Sequence, residues 1–138
     1  MLYPQLSDDE LERLYSESYF DNSKDVKLDS GTTNIQTAAM QYEELILERY
    51  QKFTDCIEKL KKLNPTGNKI LDVGAASGDF VKLAKDSGLN AYGIEHSEYG
   101  VEKAMKTNNV KLDRLSLSEL EQSNNYDFIH LNHVYFCF

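Results

Sequence analysis

The sequence predicts an α/β protein in which a parallel β-sheet is covered by helices. From residue 69 onward, short apolar runs of strand length alternate with segments whose apolar residues recur every three or four positions. This alternation is typical of parallel strands joined by right-handed helical crossovers. In addition, small residues connect the first strand to the next helix, and such a turn lets a ligand approach the backbone closely.

The first part of the chain is predicted to be a helical extension. Ser7 and Glu10 have the spacing of a capping box, which indicates a short helix. Residues 21–34 are polar and rich in turn-forming residues, so we expect a linker there. We therefore assign residues 1–36 to an N-terminal helix and linker, and residues 37–138 to the principal domain.

A long amphipathic helix is predicted over residues 37–63, and it ends where Pro65 and Gly67 interrupt the pattern. We expect it to pack on the domain through apolar positions that are three or four residues apart. These positions are Tyr42, Leu45, Ile46, Arg49 (through the apolar stem of its side chain), Phe53, Ile57, Leu60 and Leu63.

The remaining elements follow from shorter patterns. Strands are predicted over residues 69–73, 91–95, 110–112 and 126–131, and helices over residues 79–86 and 97–106. Gly88 is expected to end the first of these helices, and Ser97 is expected to cap the second. Ser116 and Glu119 have the spacing of another capping box, which predicts a short helix after the third strand.

The turn after the first strand carries the main chemical signal. Gly74, Ala76 and Gly78 are small residues spaced by two and two, whereas the dinucleotide fingerprint requires a spacing of two and then three. Asp72 lies just before this turn, where its negative charge would repel a pyrophosphate. The same charge would attract a cofactor that carries an α-amino group and a sulfonium. The turn therefore favours a methyl donor, and a nicotinamide-dependent dehydrogenase is disfavoured.

A second signal lies at the end of the second strand, where Glu95 is followed by His96. An acidic side chain at this place can accept hydrogen bonds from both hydroxyls of a ribose, as in other open α/β sheets. The simpler alternative is that Glu95 only supplies negative charge at the start of a helix. Its position one helix and one strand after the glycine turn favours ribose binding.

Together, residues 70–80, 93–97 and 126–134 resemble the motifs of class I S-adenosylmethionine-dependent methyltransferases, and the resemblance covers residues 38–138. It implies a Rossmann-like three-layer sandwich with strand order 3-2-1-4. It also implies S-adenosyl-L-methionine as the cofactor and a small-molecule or macromolecular acceptor for its methyl group. The sequence does not identify that acceptor.

The resemblance further implies roles for single residues. The turn after the first strand would hold the methionine part of the cofactor, and Glu95 would bind the ribose. Ser116 and Leu117 would lie at the adenine edge, and Asn132 would approach the reactive methyl group. The implied cofactor contacts are, in chain order, Asp72, Gly74, Ala75, Ala76, Gly78, Glu95, His96, Ser116, Leu117 and Asn132. The two alanines are a mild departure, since the family often has cysteine or glycine at those positions.

The end of the sequence departs further from the family pattern. The family's sheet continues after the fourth strand, whereas this sequence stops at Phe138, so we expect a C-terminally incomplete domain. We also expect the fourth strand to form an open sheet edge, so that the chain either self-associates along this edge or has a loosely packed C-terminal region. The alternative function is a truncated, non-catalytic module that binds S-adenosylmethionine or another partner.

His133 is a weak candidate for a catalytic base, because histidine titrates near neutral pH. We favour the simpler interpretation that it is a loop histidine without a chemical role. A metal site built from the three histidines of the chain is not expected.

The composition excludes several classes of protein. A net charge of −8 and a pI near 4.8 argue against binding to nucleic acid or to an anionic membrane. Cys56 and Cys137 form no CxxC pair, so neither a disulfide framework nor a zinc site is expected. The sequence shows no signal peptide and no apolar run of membrane-spanning length, and we therefore expect a cytoplasmic protein.

Overall fold

The computed structural model describes residue 9 and residues 35–121 and 125–132. Its elements are helix α1 (Ile35–Leu63), strand β1 (Lys69–Val73), helix α2 (Asp79–Asp86), strand β2 (Asn90–Ile94), helix α3 (Glu98–Asn108), a 3₁₀ helix (Leu117–Glu119) and strand β3 (Phe128–Leu131). Apart from Asp9, which is helical, the predicted N-terminal helix and linker lie outside the described residues.

The three strands form one parallel sheet in the order β2-β1-β3. Val73, the last residue of β1, is the register partner of Ile94 in β2 and of Leu131 in β3. The carboxyl ends of all three strands therefore meet at one edge of the sheet. This arrangement confirms the predicted α/β fold with a parallel sheet.

Residues 110–112 do not form the predicted strand. A single parallel bridge joins Ile94 to Asp113 instead. The main-chain oxygen of Asp113 accepts from the nitrogens of both Glu95 and Leu115, each at 3.0 Å. The bond from Leu115 forms a tight turn directly after the bridge. Before the bridge, the main-chain nitrogen of Val110 donates to the carbonyl oxygen of Ala104 in α3 at 3.2 Å, so this end of the predicted strand is bound to the helix and not to β2. The bridge lies beside β2, where the order 3-2-1-4 places the third strand.

The core lies mainly on one face of the sheet. Ile70 and Phe128 on this face belong to a buried cluster to which α1, α2 and α3 all contribute side chains. On the opposite face, the buried residues are covered by the segment around the 3₁₀ helix and by a residue just before β3. That second cluster comprises Leu71, Val73 and Ile94, with Leu115, Leu120 and Tyr126 packed against them.

Among the described side chains of α1, those in its middle pack as predicted, and the side chain of Tyr42 lies outside the described ones. Ile57 is buried, and Phe53 and Leu60 pack against the first cluster. Leu45 and Leu63, which were also predicted to face the domain, are 64% and 81% exposed. The reason is length: 29 helical residues span about 44 Å, whereas a five-residue strand spans only about 17 Å.

Candidate functional site

The predicted site residues gather at the carboxyl edge of the sheet. Gly74 follows β1, Glu95 follows β2 and Asn132 follows β3. Because the last residues of these strands are register partners, the three positions are neighbours in space. Asn132 is exposed. Ligands of open parallel sheets bind in the crevice outside this edge.

The glycine turn has an unusual backbone. Gly74, Ala76 and Gly78 all have left-handed conformations, with φ of 70°, 51° and 75°. The main-chain nitrogens of Gly74 and Ala75 both donate to the carbonyl oxygen of Ile94, at 2.9 and 3.0 Å. Left-handed backbone favours glycine, so the alanine at position 76 adopts it at some energetic expense. The turn is thus bound directly to the end of β2.

Gly78 is required by packing as well as by its backbone. A Cβ atom at this position would lie 3.2 Å from Cβ of Ala104 in α3 and 3.2 Å from Cγ1 of Val110. Gly78 is buried. The glycine therefore lets the start of α2 approach α3 closely, and any contact with a ligand at this position would involve the backbone.

Glu95 is a buried acid that connects the glycine turn after β1 to the start of α3. One carboxylate oxygen accepts from the main-chain nitrogen of Ala76 at 2.7 Å, and the other accepts from that of Ser97 at 2.9 Å. Ser97 in turn caps α3, its hydroxyl accepting from the main-chain nitrogen of Gly100. A carboxylate oxygen has a second lone pair. Glu95 can therefore keep these bonds and still accept from a ligand hydroxyl.

Asp72 is also buried, and its partner is His130. The two residues are register partners on β1 and β3, and Oδ1 of Asp72 lies 2.7 Å from Nδ1 of His130. Burial raises the pKa of the Asp72 carboxyl above its usual value, while the hydrogen bond from His130 opposes this effect. The sequence pattern does not predict this pairing, although each residue is second from the end of its predicted strand.

The ring of His130 is held by two phenylalanines. It stacks on Phe80 of α2, with ring centroids 3.6 Å apart and planes only 7° from parallel. Phe53 of α1 contacts it edge-on at 5.8 Å and also contacts Phe80 edge-on at 5.3 Å. The histidine therefore connects β3 to both helices that cover this face of the sheet.

A polar network holds the start of α2, immediately after the glycine turn. Oδ1 of Asp79 accepts from Nδ2 of Asn108 at 2.8 Å and from the hydroxyl of Tyr50 at 3.3 Å. Oδ2 accepts from the hydroxyl of Ser77 at 3.0 Å and from the guanidinium of Arg49 at 3.1 Å. These bonds join α1 and α3 to the turn. The sequence pattern assigned no polar role to Arg49, and its partner is 30 residues distant along the chain.

The remaining predicted contacts lie beside β2. The capping box is present, with the nitrogen and hydroxyl of Ser116 both donating to Glu119 at 2.7 and 2.8 Å. Leu117 is exposed. The carbonyl oxygen of His96 accepts from Nε of Arg114 at 3.3 Å. This segment therefore has a fixed backbone and offers an exposed apolar side chain.

The candidate catalytic base, His133, lies outside the described residues. Among the residues that are described, no cluster of three or more potential ligands could hold a metal ion. Within the same residues, no helix combines the length and apolar character needed to cross a membrane.

Comparison with known proteins connects this site to one family. A family model described as a methyltransferase domain matches residues 45–135, which is more than half of the chain and includes the turn, Glu95 and β3. The search of curated proteins found no match.

Several solved structures share the fold. Magnesium protoporphyrin IX methyltransferase from Synechocystis PCC 6803, with bound SAM, has a TM-score of 0.63 and 18% identity over 94% of this chain and 64% of its own. DesVI from Streptomyces venezuelae has a TM-score of 0.54 and 18% identity over 74% of this chain and 44% of its own. The plantazolicin methyltransferase BpumL, in complex with SAH, has a TM-score of 0.54 and 18% identity over 88% of this chain and 46% of its own. The chain thus spans less than two thirds of the length of these proteins.

Proposed function

The chain belongs to the methyltransferase domain family, and from this premise we propose that it binds S-adenosyl-L-methionine for transfer of the methyl group to an acceptor. The observation that carries the proposal is the position of Glu95. This buried acid lies at the end of β2 and is hydrogen-bonded to the glycine turn that follows β1. Two of the structures that share the fold contain SAM or SAH.

The charges and hydrogen-bonding groups of the site fit this cofactor. Its α-amino group and sulfonium are positive, and Asp72 is an acid beneath the turn where the methionine part would lie. Glu95 has acceptor capacity for the ribose hydroxyls. Gly74 is exposed and has no side chain, so its backbone can contact the amino acid part directly.

The other predicted contacts have supporting roles in this proposal. Leu117 would cover the adenine, with the backbone of Ser116 and His96 beside it. Ala75 and Ala76 would line the turn, and Gly78 would contribute its backbone. Asn132 would lie near the transferred methyl group, because it follows the strand adjacent to the turn.

When bound, the cofactor supplies a methyl group that is activated by its sulfonium. The task of the protein is then to bind and align the reactants and to exclude water. Asp72, Glu95 and the turn fulfil the binding part of this task. We further propose that the protein acts in the cytoplasm, which is supported by its two separated cysteines.

Isothermal titration calorimetry of the full chain with S-adenosylmethionine, S-adenosylhomocysteine and NAD tests the proposal. We expect both adenosyl compounds to bind, with a micromolar dissociation constant corresponding to about −8 kcal/mol. NAD should bind much more weakly, because the spacing of the turn and the charge of Asp72 oppose a pyrophosphate. Preferential binding of NAD, or no binding of either adenosyl compound, would overturn the assignment.

A further inference from the structure

A buried acid–imidazole pair lies beneath the proposed cofactor site. Asp72 and His130 are register partners on adjacent parallel strands, so their side chains leave the sheet on the same face. Their side chains are 5% and 13% exposed, and the bonded atoms are 2.7 Å apart. The pair is thus enclosed, and it lies two residues before Gly74 in one strand and two before Asn132 in the other.

A buried carboxylate requires a donor if it is to remain ionised, because burial favours the neutral form. The neighbouring elements supply few polar groups. The register partner of Asp72 on β2 is Gly93, which has no side chain, and α2 presents the apolar ring of Phe80 to His130. Among the described residues, His130 is the side chain that donates a hydrogen bond to Asp72.

Among the described residues, the thiol of Cys56 on α1 is near enough to Asp72 for the two groups to interact electrostatically. Burial raises the pKa of this thiol, Lys59 lowers it, and the negative charge of Asp72 makes a smaller contribution that raises it. The raised pKa keeps the thiol neutral near pH 7, so it adds no negative charge beside the carboxylate.

We propose that His130 is a positioning residue for the cofactor, holding the Asp72 carboxylate ionised and fixed in direction beneath the glycine turn. The ligand that benefits is the positively charged α-amino end of S-adenosylmethionine, so the inference rests on the proposed function. With a proton on Nδ1, the imidazole donates to the carboxylate, which keeps its negative charge. That charge attracts an ammonium group bound on the turn above.

The surroundings of His130 are suited to this role. Its ring is stacked on Phe80 and contacted edge-on by Phe53, so the direction of the Nδ1–H bond is fixed by packing. Phe80 is the second residue of α2, the helix that begins directly after the turn. The same ring therefore orients Asp72 and contacts the helix on which the turn depends.

Two substitutions separate the hydrogen bond from the packing. His130→Phe retains a flat ring that can stack on Phe80, but it removes the donor. His130→Asn removes the ring but can place an amide N–H where Nδ1 lies. The full chain and both variants are titrated with S-adenosylhomocysteine, which has the same α-amino group, at several pH values between about 5.5 and 8.5.

We expect His130→Phe to bind roughly tenfold or more weakly near pH 6 and to regain affinity as the pH rises, because Asp72 then ionises without its donor. His130→Asn should follow the pH profile of the wild type, within a few-fold in affinity. A purely structural role of the histidine predicts the opposite order of the two variants and no difference in pH profile. Either of those results would overturn the inference.

A double-mutant cycle with Asp72→Asn keeps the test independent of changes in stability. If His130 acts through the carboxylate, His130→Phe has no further effect on affinity in the Asp72→Asn background. If His130→Phe lowers the affinity by the same factor in the wild-type and Asp72→Asn backgrounds, the inference is overturned. A wild-type chain that does not bind S-adenosylhomocysteine would overturn the proposed function itself, whereas a binding wild type with an unaffected His130→Phe variant would overturn only the role of the histidine.

Discussion

A carboxylate oxygen of Glu95 accepts a hydrogen bond of 2.7 Å from the main-chain nitrogen of Ala76, although the two residues belong to different crossovers of the sheet. The hydrogen bond spans from the end of β2 to the middle of the glycine turn, where Ala76 has a left-handed backbone. Left-handed backbone is unfavourable for alanine, so a partner for its N–H group stabilises the turn. Glu95 thus has a structural role in the turn in addition to its proposed contact with the ribose.

Glu95→Ala should therefore weaken both cofactor binding and the fold. We expect the affinity for S-adenosylmethionine to fall by on the order of 1.5–3 kcal/mol, because a charge-assisted contact to the ribose is lost. The free energy of unfolding should fall as well, since the N–H groups of Ala76 and Ser97 lose their acceptor. Calorimetry and urea denaturation measure the two effects. Equal affinity of Glu95→Ala and the wild type would contradict the ribose assignment.

Gly74→Val should abolish binding while the helices remain. Gly74 has a φ of 70°, which a β-branched residue adopts poorly, and the new side chain would stand where the cofactor meets the backbone. Gly88→Val is a matched control, because Gly88 has a φ of 88° and no atom within 4 Å of an added Cβ. The control carries similar backbone strain at the opposite end of α2.

We expect the circular dichroism of both glycine variants to retain the helical signal, and only Gly74→Val to lose binding in calorimetry. Retained binding by Gly74→Val would mean that the ligand does not lie against this turn. Loss of binding by both variants would indicate that strain alone, and not the blocked contact, is responsible.

Asp72→Asn should reduce affinity without reducing stability near pH 7. Burial raises the pKa of Asp72 above the value of 3.8 expected for the unfolded chain, against the opposing effect of His130. Between these two pKa values, the folded state holds a proton that the unfolded state has released, so the stability of the wild type falls as the pH rises through this window. Above the folded-state pKa of Asp72, the wild type has lost this contribution to its stability completely. Asparagine does not titrate, and its oxygen can still accept from Nδ1 of His130.

Urea denaturation of the wild type and Asp72→Asn at a series of pH values tests this expectation. The free energy of unfolding of the wild type, taken relative to the variant, should decrease from about pH 4 upward and then become constant. A difference that increases with pH over that range would show that the folded protein favours the ionised carboxyl. Binding of S-adenosylmethionine by the variant, measured alongside, should be weaker at neutral pH.

Local patterns predicted the central elements well. Both β1 and α2 have the predicted bounds, because an apolar run bounded by turn residues is a strong signal over so short a distance. The turn, Glu95 and the end of β3 lie at one edge of the sheet, since parallel strands must bring their carboxyl ends to the same edge. These features depend on hydrophobic periodicity and on the order of the elements, and both can be predicted from the sequence.

The features that were missed depend on contacts between distant residues. Residues 110–112 are apolar enough for a strand, but the main-chain nitrogen of Val110 donates to Ala104 in α3, and pairing with β2 is limited to the bridge at Asp113. The exposure of Leu45 follows from the length of the sheet and not from the sequence of α1. The pairing of His130 with Asp72 required the register between two strands that are far apart in the sequence.

Strand β3 is expected to drive self-association of the chain. Ile129 and Leu131 lie on the sheet face opposite the helices and are 60% and 45% exposed. Within the described residues, β3 pairs with β1 and with no other strand, so none of those residues pairs with its outer edge. Exposed strand edges with apolar side chains are prone to pairing with other chains. We expect the 138-residue chain to form oligomers at micromolar concentration, and Ile129→Lys to reduce them.

Size-exclusion chromatography with light scattering measures this association as a function of concentration. Leu45→Lys is the matched control, because Leu45 is similarly exposed at 64% but lies on α1, away from β3. If the edge strand drives association, Ile129→Lys shifts the chain toward the monomer, because a charge on the open face opposes strand pairing. Leu45→Lys leaves the distribution unchanged. A wild-type chain that is monomeric at every concentration, or an equal effect of the two substitutions, would show that β3 is not the site of association.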